Sequence, residues 1–340
     1  MKKAGLETSM QRWTVDLTQT GWKSAPEVPA VCRALAEGNL VAIPTETVYG
    51  LAADATSSIA CAKIFAAKGR PQFNPLISHL PTLEAALEHG DFNDDALKLA
   101  NAFWPGPLTL VVPKKASSSI CDLATAGLNT VALRVPAGPV MRFLSSKTDA
   151  PLAAPSANLS GKVSTTTADA VAADLGPSLS YIIDAGACSV GVESTIVALV
   201  DGCARLLRPG GVTRDSLEAV LGKPLVGVSA SASQDAPQAP GMLSSHYAPS
   251  AAVRLDATKV APGDALLSFG PHPLPGAGNA CAEFNLSSTG NLTEAAASLF
   301  TALRKLDASG AATINVQNIP ENGLGEAIND RLRRAAAPRD

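Results

Sequence analysis

Aromatic residues and charges are scarce in this chain of 340 residues. Phe, Trp and Tyr make up 4% of it and charged residues 17%, whereas hydrophobic residues reach 46%. This composition excludes an intrinsically disordered chain, and the core is expected to consist mainly of Ala, Val, Leu and Ile. The length allows two domains. A net charge of −3 argues against tight, purely electrostatic binding of nucleic acid, although a local basic cleft remains compatible with it.

The cysteines lack the spacing of a zinc site or a disulfide framework. No C-x-x-C pair occurs among Cys32, Cys61, Cys121, Cys188, Cys203 and Cys281, so a reducing compartment is expected. No apolar run approaches the roughly 20 residues that cross a bilayer, and the opening Met1-Lys2-Lys3 is not followed by an apolar signal segment. The sequence therefore predicts a cytoplasmic protein with no membrane partner.

Standard nucleotide and hydrolase signatures are also missing. The stretch Leu159–Val163 resembles a P-loop, but Val163 stands where Ser or Thr would bind magnesium. No strand is followed by G-x-G-x-x-G, and neither G-x-S-x-G nor H-E-x-x-H occurs. The four histidines have no ligand-like spacing, so we do not expect a metal cage built from side chains.

What the chain does contain is an alternation of strand and helix patterns, which predicts an α/β protein. Residues 1–226 fit an open twisted sheet with flanking helices. Residues 227–250 are rich in Ser, Ala, Pro and Gln, which is typical of an extended linker. Residues 251–340 fit a smaller Rossmann-like α/β domain. Asp201-Gly202 predicts a hairpin turn.

Cations and neutral hydrogen-bonding groups follow the predicted strands. Because strand ends of an open α/β sheet converge on one crevice, these groups could share a site. The cations suit a polyphosphate together with a small carboxylate-bearing ligand. No nucleophile and base are evident, which favours catalysis by positioning and charge stabilisation. The cations are Lys68, Arg70, Arg134 and Arg208, and the neutral groups include Thr45, Thr47, Thr130, Ser156, Asn158, Ser194 and Thr195.

Each of these residues also allows a purely structural interpretation. Lys68 and Arg70 are compatible with solvated charges that offset the dipole of a helix C-terminus. Ser156 and Asn158 are compatible with side chains that satisfy turn carbonyls, and Arg134 with a charge on an edge strand. His79 is compatible with a hydrogen-bonded structural histidine, and Tyr247 with a residue that packs between the domains.

Taken in order, the motifs resemble those of the threonylcarbamoyl-AMP synthase family, in its long form with a YrdC-type domain and a second α/β domain. The first domain carries P-T-E-T-V-Y-G-L, K-G-R-P-x-x-N-P-L, W-P-G-P-L-T, T-V-A-L-R-V-P, P-S-A-N-x-S-G, S-T-I-V and L-R-P-G. H-Y-A-P ends the linker, and I-P-E-N-G-L-G-E-A-I-N-D-R-L-R-R-A-A lies near the end of the second domain. The resemblance covers residues 25–336 approximately.

The resemblance implies that L-threonine, bicarbonate or carbon dioxide, and ATP are condensed into threonylcarbamoyl-AMP, with Mg²⁺ held mainly by the ATP phosphates. The product would pass to the machinery that transfers threonylcarbamoyl to tRNA, and a weak tRNA contact is possible. Catalytic roles would fall to Lys68 and Arg70. The implied ATP contacts are Lys68, Arg70, Asn74, Thr130, Asn158, Thr166 (with Thr165 and Thr167 open), Arg208 and Tyr247, the last on a lid formed by the linker. The implied threonine contacts are Thr47, His79, Arg134, Ser156 and Ser194.

Two departures and two alternatives accompany this interpretation. Ser244-Ser245 stand where relatives often carry an aromatic or basic residue, and Ala198-Leu199 stand where an acidic residue is common. A non-catalytic module that binds tRNA or double-stranded RNA is one alternative. The other is a carbamoyl-adenylate enzyme of hydrogenase maturation, which the missing zinc-finger segments disfavour.

Overall fold

The computed structural model describes residues 10–227 and 246–338. Most of the predicted linker, residues 228–245 with Ser244-Ser245, lies outside the described residues. Within the described ranges the strands form one sheet of eleven strands and a second sheet of four. The larger sheet ends with Gly227 and the smaller one begins with Ala252. In the same ranges no helix is both long and apolar enough to cross a membrane.

The elements of the first sheet and its flanking helices alternate along the chain. The strands are β1 (Gln11–Thr14), β2 (Val41–Ile43), β3 (Gly50–Asp54), β4 (Ile77–His79), β5 (Leu108–Pro113), β6 (Thr130–Arg134), β7 (Leu152–Ala153), β8 (Tyr181–Asp184), β9 (Thr195–Val200), β10 (Cys203–Arg208) and β11 (Val226–Gly227). The helices are α1 (Glu27–Ala36), α2 (Ser58–Lys68), α3 (Leu83–Leu87), α4 (Asp94–Phe103), α5 (Pro139–Thr148), α6 (Ala168–Leu175) and α7 (Arg214–Leu221).

This sheet is mixed and is covered by helices on both faces. Its order is β1-β8-β2-β3-β7-β4-β6-β5-β9-β10-β11, in which β4 is parallel to β6 and β5 is antiparallel to β6. Successive residues of a strand point to opposite faces. Accordingly, Val41 and Ile43 pack with residues of α1 and α5, whereas Ala42 packs with residues of α2 and α6. The predicted open α/β sheet with flanking helices is confirmed.

The second domain is a parallel sheet with the order β12-β15-β13-β14. Its core contains the fully buried Phe300 and Leu299 of its long helix, and Tyr247 joins the same cluster. The prediction of a smaller, Rossmann-like α/β domain is confirmed. Its elements are β12 (Ala252–Arg254), β13 (Ala265–Ser268), β14 (Ala282–Asn285), α8 (Leu292–Asp307), β15 (Thr313–Val316) and α9 (Gly325–Ala336).

Local signals in the sequence coincide with element boundaries at several places. Asp201-Gly202 forms the hairpin between β9 and β10. The side chain of Ser57 accepts a hydrogen bond from the backbone N–H of Ala60 and caps α2, and Gly69 ends that helix in a left-handed conformation (φ 61°). Strand β3 was not predicted, because its Gly-Leu-Ala-Ala-Asp sequence has no β-branched or aromatic residue.

Candidate active site

A cleft opens where several strands of the larger sheet end and the second domain covers them. Strand β4 ends at His79 and the parallel β6 ends at Arg134, which are paired in register. Ser194 precedes β9, whose first residue Thr195 lies opposite Leu108 of β5. In this structure the cavity in the cleft has a volume of about 40 Å³. Its lining is Thr47, Val48, Arg70, Ile77, His79, Arg134, Ala154, Pro155, Ser156, Glu193, Ser194, Arg208, His246 and Tyr247.

One wall of the cleft is organised by the buried guanidinium of Arg134. Its Nε donates to the Gly106 carbonyl oxygen (3.2 Å), its Nη1 to Thr47 Oγ1 (3.0 Å), and its Nη2 to Glu46 Oε1 (2.6 Å). Strand β6 lies between β4 and β5, so the interpretation of Arg134 as an edge-strand charge is wrong. A guanidinium fixed on three sides is suited to orienting a carboxylate.

Glu46 was missed, although it lies between Thr45 and Thr47 in the P-T-E-T motif. Its Oε2 also accepts a hydrogen bond from the backbone N–H of Gly138 (3.1 Å). Burial opposes ionisation of Glu46, but the Arg134 guanidinium and the Gly138 N–H outweigh it and lower the pKa of the carboxyl group. The Glu46 carboxyl group is therefore ionised at neutral pH.

His79 is buried beside Arg134. Burial, with the nearby Arg134 charge, lowers the pKa of His79 to about 3, so the imidazole is neutral at physiological pH. Its Nδ1 is buried and has no hydrogen-bond partner among the described residues. A neutral ring with one unused polar atom can contribute a hydrogen bond to a ligand.

Lys68 and Arg70 come from the end of α2 and the turn that follows. The Lys68 Nζ donates to the carbonyl oxygens of Ser156 and Asn158, both at 2.5 Å. Arg70 Nη2 donates to the Pro75 carbonyl oxygen (2.9 Å). Both side chains are buried, so the interpretation as solvated charges at a helix terminus is wrong.

These two cations have no carboxylate partner within residues 10–227 and 246–338. Burial and the neighbouring Arg70 lower the pKa of Lys68 well below its usual value. Burial and Arg208 lower the pKa of Arg70 to about 10. An anion bound here would favour the charged forms, because attraction to an opposite charge offsets the effects of burial and of the neighbouring cation. The arrangement is therefore suited to phosphate groups.

Two amides beside these cations carry buried oxygens without hydrogen-bond partners among the described residues. They are the Oδ1 atoms of Asn74 and Asn158. Asn158 Nδ2 donates to the carbonyl oxygens of Leu159 and Lys162 (2.8 Å each), so its predicted structural role in a turn is real. The free oxygens are ligands of the kind that Mg²⁺ prefers. The described residues contain no group of three or more His, Cys, Asp or Glu arranged to hold a metal.

The opposite wall connects Ser194 with Arg208. The Nε and Nη2 atoms of Arg208 lie 3.1 and 2.9 Å from the Ser194 carbonyl oxygen. The Ser194 hydroxyl lies 2.8 Å from the Thr109 hydroxyl. Ser194 is thereby held between β5 and β10, and it lines the cleft.

The second domain covers the cleft through Tyr247 and Arg331. The Tyr247 ring stacks on Phe300 (centroids 5.5 Å apart), and the Arg331 guanidinium lies 5.4 Å from the Tyr247 centroid. Arg331 is fully buried, and its Nε donates to Glu193 Oε2 (2.9 Å). The packing interpretation of Tyr247 is therefore correct, and the same ring lines the cleft.

Sequence reasoning missed three residues at this junction, namely Glu193, His246 and Arg331. Burial lowers the pKa of His246 to about 3, and its Nδ1 has no partner among the described residues. The available signals were the H-Y-A-P and N-D-R-L motifs, which contain His246 and Arg331.

The structure gathers most, but not all, of the predicted site residues. Eight of the thirteen line the cleft. Lys68, Asn74 and Asn158 do not line it, but Lys68 donates to the carbonyl oxygens of Ser156 and Asn158, and the Asn74 carbonyl oxygen accepts from Arg70 Nε (3.3 Å). Thr166 faces the second domain, where its hydroxyl lies 3.1 Å from that of Thr301. Thr130 begins β6, about 13 Å along the strand from Arg134, and is not part of the lining. Contact of Thr130 and Thr166 with ATP stays a prediction.

Two family models divide the chain between them. The model described as "Telomere recombination", for the Sua5, YciO and YrdC group, matches residues 33–210. The model for the "Threonylcarbamoyl-AMP synthase, C-terminal domain" matches residues 212–337. The chain belongs to the threonylcarbamoyl-AMP synthase family. This confirms the resemblance found in the sequence motifs.

Relatives of this family match nearly the whole chain. The threonylcarbamoyl-AMP synthase of Bacillus subtilis is 38% identical over 97% of this chain and 98% of its own length. That of Pyrococcus abyssi is 41% identical over 89% of this chain and 92% of its own length. The crystal structure of P. abyssi Sua5 complexed with L-threonine superimposes with a TM-score of 0.86 at 36% identity, covering 96% of this chain and 97% of that one.

Proposed function

We propose that this protein is an L-threonylcarbamoyladenylate synthase, a nucleotidyltransferase that converts L-threonine, bicarbonate or carbon dioxide, and ATP into threonylcarbamoyl-AMP and pyrophosphate. The observation that carries the proposal is the proximity of two different anion sites in one cleft. Arg134, fixed by Glu46 and Thr47, suits an amino-acid carboxylate, and Lys68 and Arg70, which lack carboxylate partners among the described residues, suit phosphates.

Each side of the cleft has a distinct task in the reaction. On one side, Arg134 orients the threonine carboxylate, with Thr47, His79, Ser156 and Ser194 around the rest of the amino acid. A carbamate formed on the threonine amine attacks the α-phosphorus of ATP. On the other side, Lys68, Arg70 and Arg208 offset the charge of the leaving pyrophosphate. Catalysis then depends on positioning and charge rather than on a nucleophilic side chain.

The remaining donors fit Mg²⁺ that is held mainly by the ATP phosphates. The unpartnered oxygens of Asn74 and Asn158 would complete such a site. When bound, the ion supplies further charge neutralisation on the phosphates. Tyr247 and Arg331 keep water from the cleft by covering it.

The burial of the cations counts against the alternative of a non-catalytic RNA-binding module. Lys68, Arg70, Arg134 and Arg208 are each at most 8% exposed, so they cannot form a basic surface for a phosphate backbone. Use of the product by the tRNA threonylcarbamoyl-transfer machinery, with at most a weak tRNA contact, is part of the proposal. A cytoplasmic location is also part of it.

The test measures pyrophosphate release and threonylcarbamoyl-AMP by mass spectrometry, with each substrate omitted in turn. We expect release to require L-threonine, bicarbonate, ATP and Mg²⁺ together. Lys68→Ala should reduce the rate by roughly 100-fold, the scale of losing one charge-stabilising group. Lys63→Ala on the same helix is the matched control, because Lys63 is exposed. Equal rates in the two variants would remove Lys68 from the mechanism.

A further inference from the structure

Two cysteines outside the cleft lie within contact distance of each other. The Sγ atoms of Cys61 and Cys121 are 3.7 Å apart. Cys61 is buried on α2, and Cys121 is half-buried in the segment that joins β5 to β6. Cys121 also lines an open surface groove together with Ser58. One sulfur of the pair is therefore reachable from solvent and the other is shielded.

Backbone hydrogen bonds hold the segment around Cys121 in place. Its N–H donates to the Ala55 carbonyl oxygen (3.0 Å), just ahead of α2. Three residues later, the Ala124 carbonyl oxygen accepts from the N–H of Leu76 (2.8 Å). These bonds fix the segment against α2, so the short distance between the sulfurs follows from the fold.

The two thiols differ in acidity, and each cause is local. For Cys121, the neighbouring Cys61 thiol, the Ala124 N–H and the Ser58 hydroxyl together outweigh burial and lower the pKa to about 6. The neighbouring Cys121 and burial raise the pKa of Cys61. The accessible sulfur is thus the more acidic of the two and more readily forms the thiolate, the reactive form of cysteine, whereas the buried one is held as a thiol.

We propose that Cys121 and Cys61 form an oxidation-sensitive dithiol whose oxidant is hydrogen peroxide. The Cys121 thiolate attacks one peroxide oxygen, the O–O bond breaks, and Cys121 sulfenic acid forms, while the displaced hydroxide takes up the proton that Cys121 had lost and becomes water. The Cys61 thiol then forms the S–S bond and displaces a second water. Overall, two thiols lose two electrons and two protons, and one peroxide becomes two waters. An accessible acidic cysteine beside a resolving cysteine is the arrangement of thiol redox sensors.

Formation of the bond needs only a small movement. A disulfide requires a sulfur separation of about 2.0 Å, so the two Sγ atoms have to approach by about 1.7 Å from their present 3.7 Å. The bond would tie α2, which ends at Lys68, to the segment that also holds Leu76. The reaction itself does not use the substrate cleft, and it is independent of the proposed function.

The experiment treats reduced full-length protein with hydrogen peroxide in thiol-free buffer and follows it by intact mass and peptide mapping. We expect a loss of two hydrogens and a peptide pair linked through Cys61 and Cys121. In Cys61→Ala, Cys121 has no resolving partner, so dimedone should trap several-fold more sulfenic acid than in the wild type. Cys281→Ser is the control, because Cys281 is exposed, and it should leave the linked peptide unchanged.

A second measurement keeps the proposal testable if Cys61→Ala folds poorly. Iodoacetamide at pH 7 should alkylate Cys121 of the native wild type at least about threefold faster than Cys281, because thiolate character controls the rate. Equal alkylation rates, or oxidation of Cys281 without any Cys61–Cys121 peptide, would overturn the proposal.

Discussion

Glu46 Oε1 lies 2.6 Å from Arg134 Nη2 beside the cleft, where the Arg134 side chain is buried and the Glu46 side chain is 10% exposed. The Glu46 carboxylate neutralises the Arg134 cation in the free protein. Because Glu46 Oε2 also accepts a hydrogen bond from the Gly138 N–H, the carboxylate is held in place and fixes the orientation of the guanidinium. Removing one member of a buried pair leaves the other charge unpaired, which usually costs more than the pair contributes. We therefore expect the Glu46–Arg134 ion pair to contribute both to the stability of the fold and to threonine binding.

The first prediction concerns the charge of Glu46. The pKa of folded Glu46 is lowered from about 4.5, so its stabilising contribution is fully present above pH 4.5 and is lost as the pH falls through the lower folded value. Glu46→Gln should be less stable than the wild type at pH 7 by about 3 kcal/mol. The difference should shrink as the pH falls below 4.5. Urea denaturation at several pH values measures it, and a constant difference across that range would contradict it.

The second prediction concerns recognition of the amino acid. Arg134→Lys keeps the charge but loses the planar set of three donors. We expect the affinity for L-threonine to fall roughly tenfold or more, about 1.4 kcal/mol, with little change in ATP affinity. Calorimetry with L-threonine, D-threonine and serine measures this, and Arg33→Lys on the exposed side of α1 is the control. Unchanged L-threonine affinity in Arg134→Lys would place the carboxylate elsewhere.

The third prediction concerns acid sensitivity. Burial lowers the pKa of both His79 and His246 from 6.5 to about 3. Each contributes stability that is present above pH 6.5 and is progressively lost as the pH falls from 6.5 toward 3, because the unfolded chain binds the proton first. His79→Asn should flatten the decline of Tm between pH 7 and pH 5, whereas the exposed His272→Asn should not. If Tm falls with pH in the same way for the wild type and for His79→Asn, the proposal that His79 is buried in its neutral form is wrong.

The fourth prediction concerns the junction between the two domains. Arg331 and Glu193 are both buried and 2.9 Å apart. Glu193→Gln and Arg331→Met should each destabilise the protein, and the double variant should be less destabilised than the sum of the two by about 2 kcal/mol. Chemical denaturation of all four proteins gives this coupling. Exposed Arg333 pairs with Glu321, and the same cycle there should give less than about 1 kcal/mol.

The motif-bearing stretches of the sequence predicted much of the site because they place side chains locally. Gly69 ends α2 in a left-handed turn, so Lys68 and Arg70 are set at a helix terminus by the sequence around them. The alternation of strand and helix patterns likewise predicted two α/β domains, since hydrophobic period is a property of the local chain. Strand β3 escaped prediction, because its Ala-rich sequence forms a strand only between β2 and β7.

Contacts between residues far apart in the chain were decided by the tertiary structure alone. The sequence by itself determined the family motifs, the helix caps and the positions of the cations at element ends. It did not determine that Glu46 pairs with Arg134 or that Arg331 reaches Glu193. Those relationships depend on strand order and domain packing, which follow from burial of apolar faces summed over the whole chain rather than from any local pattern.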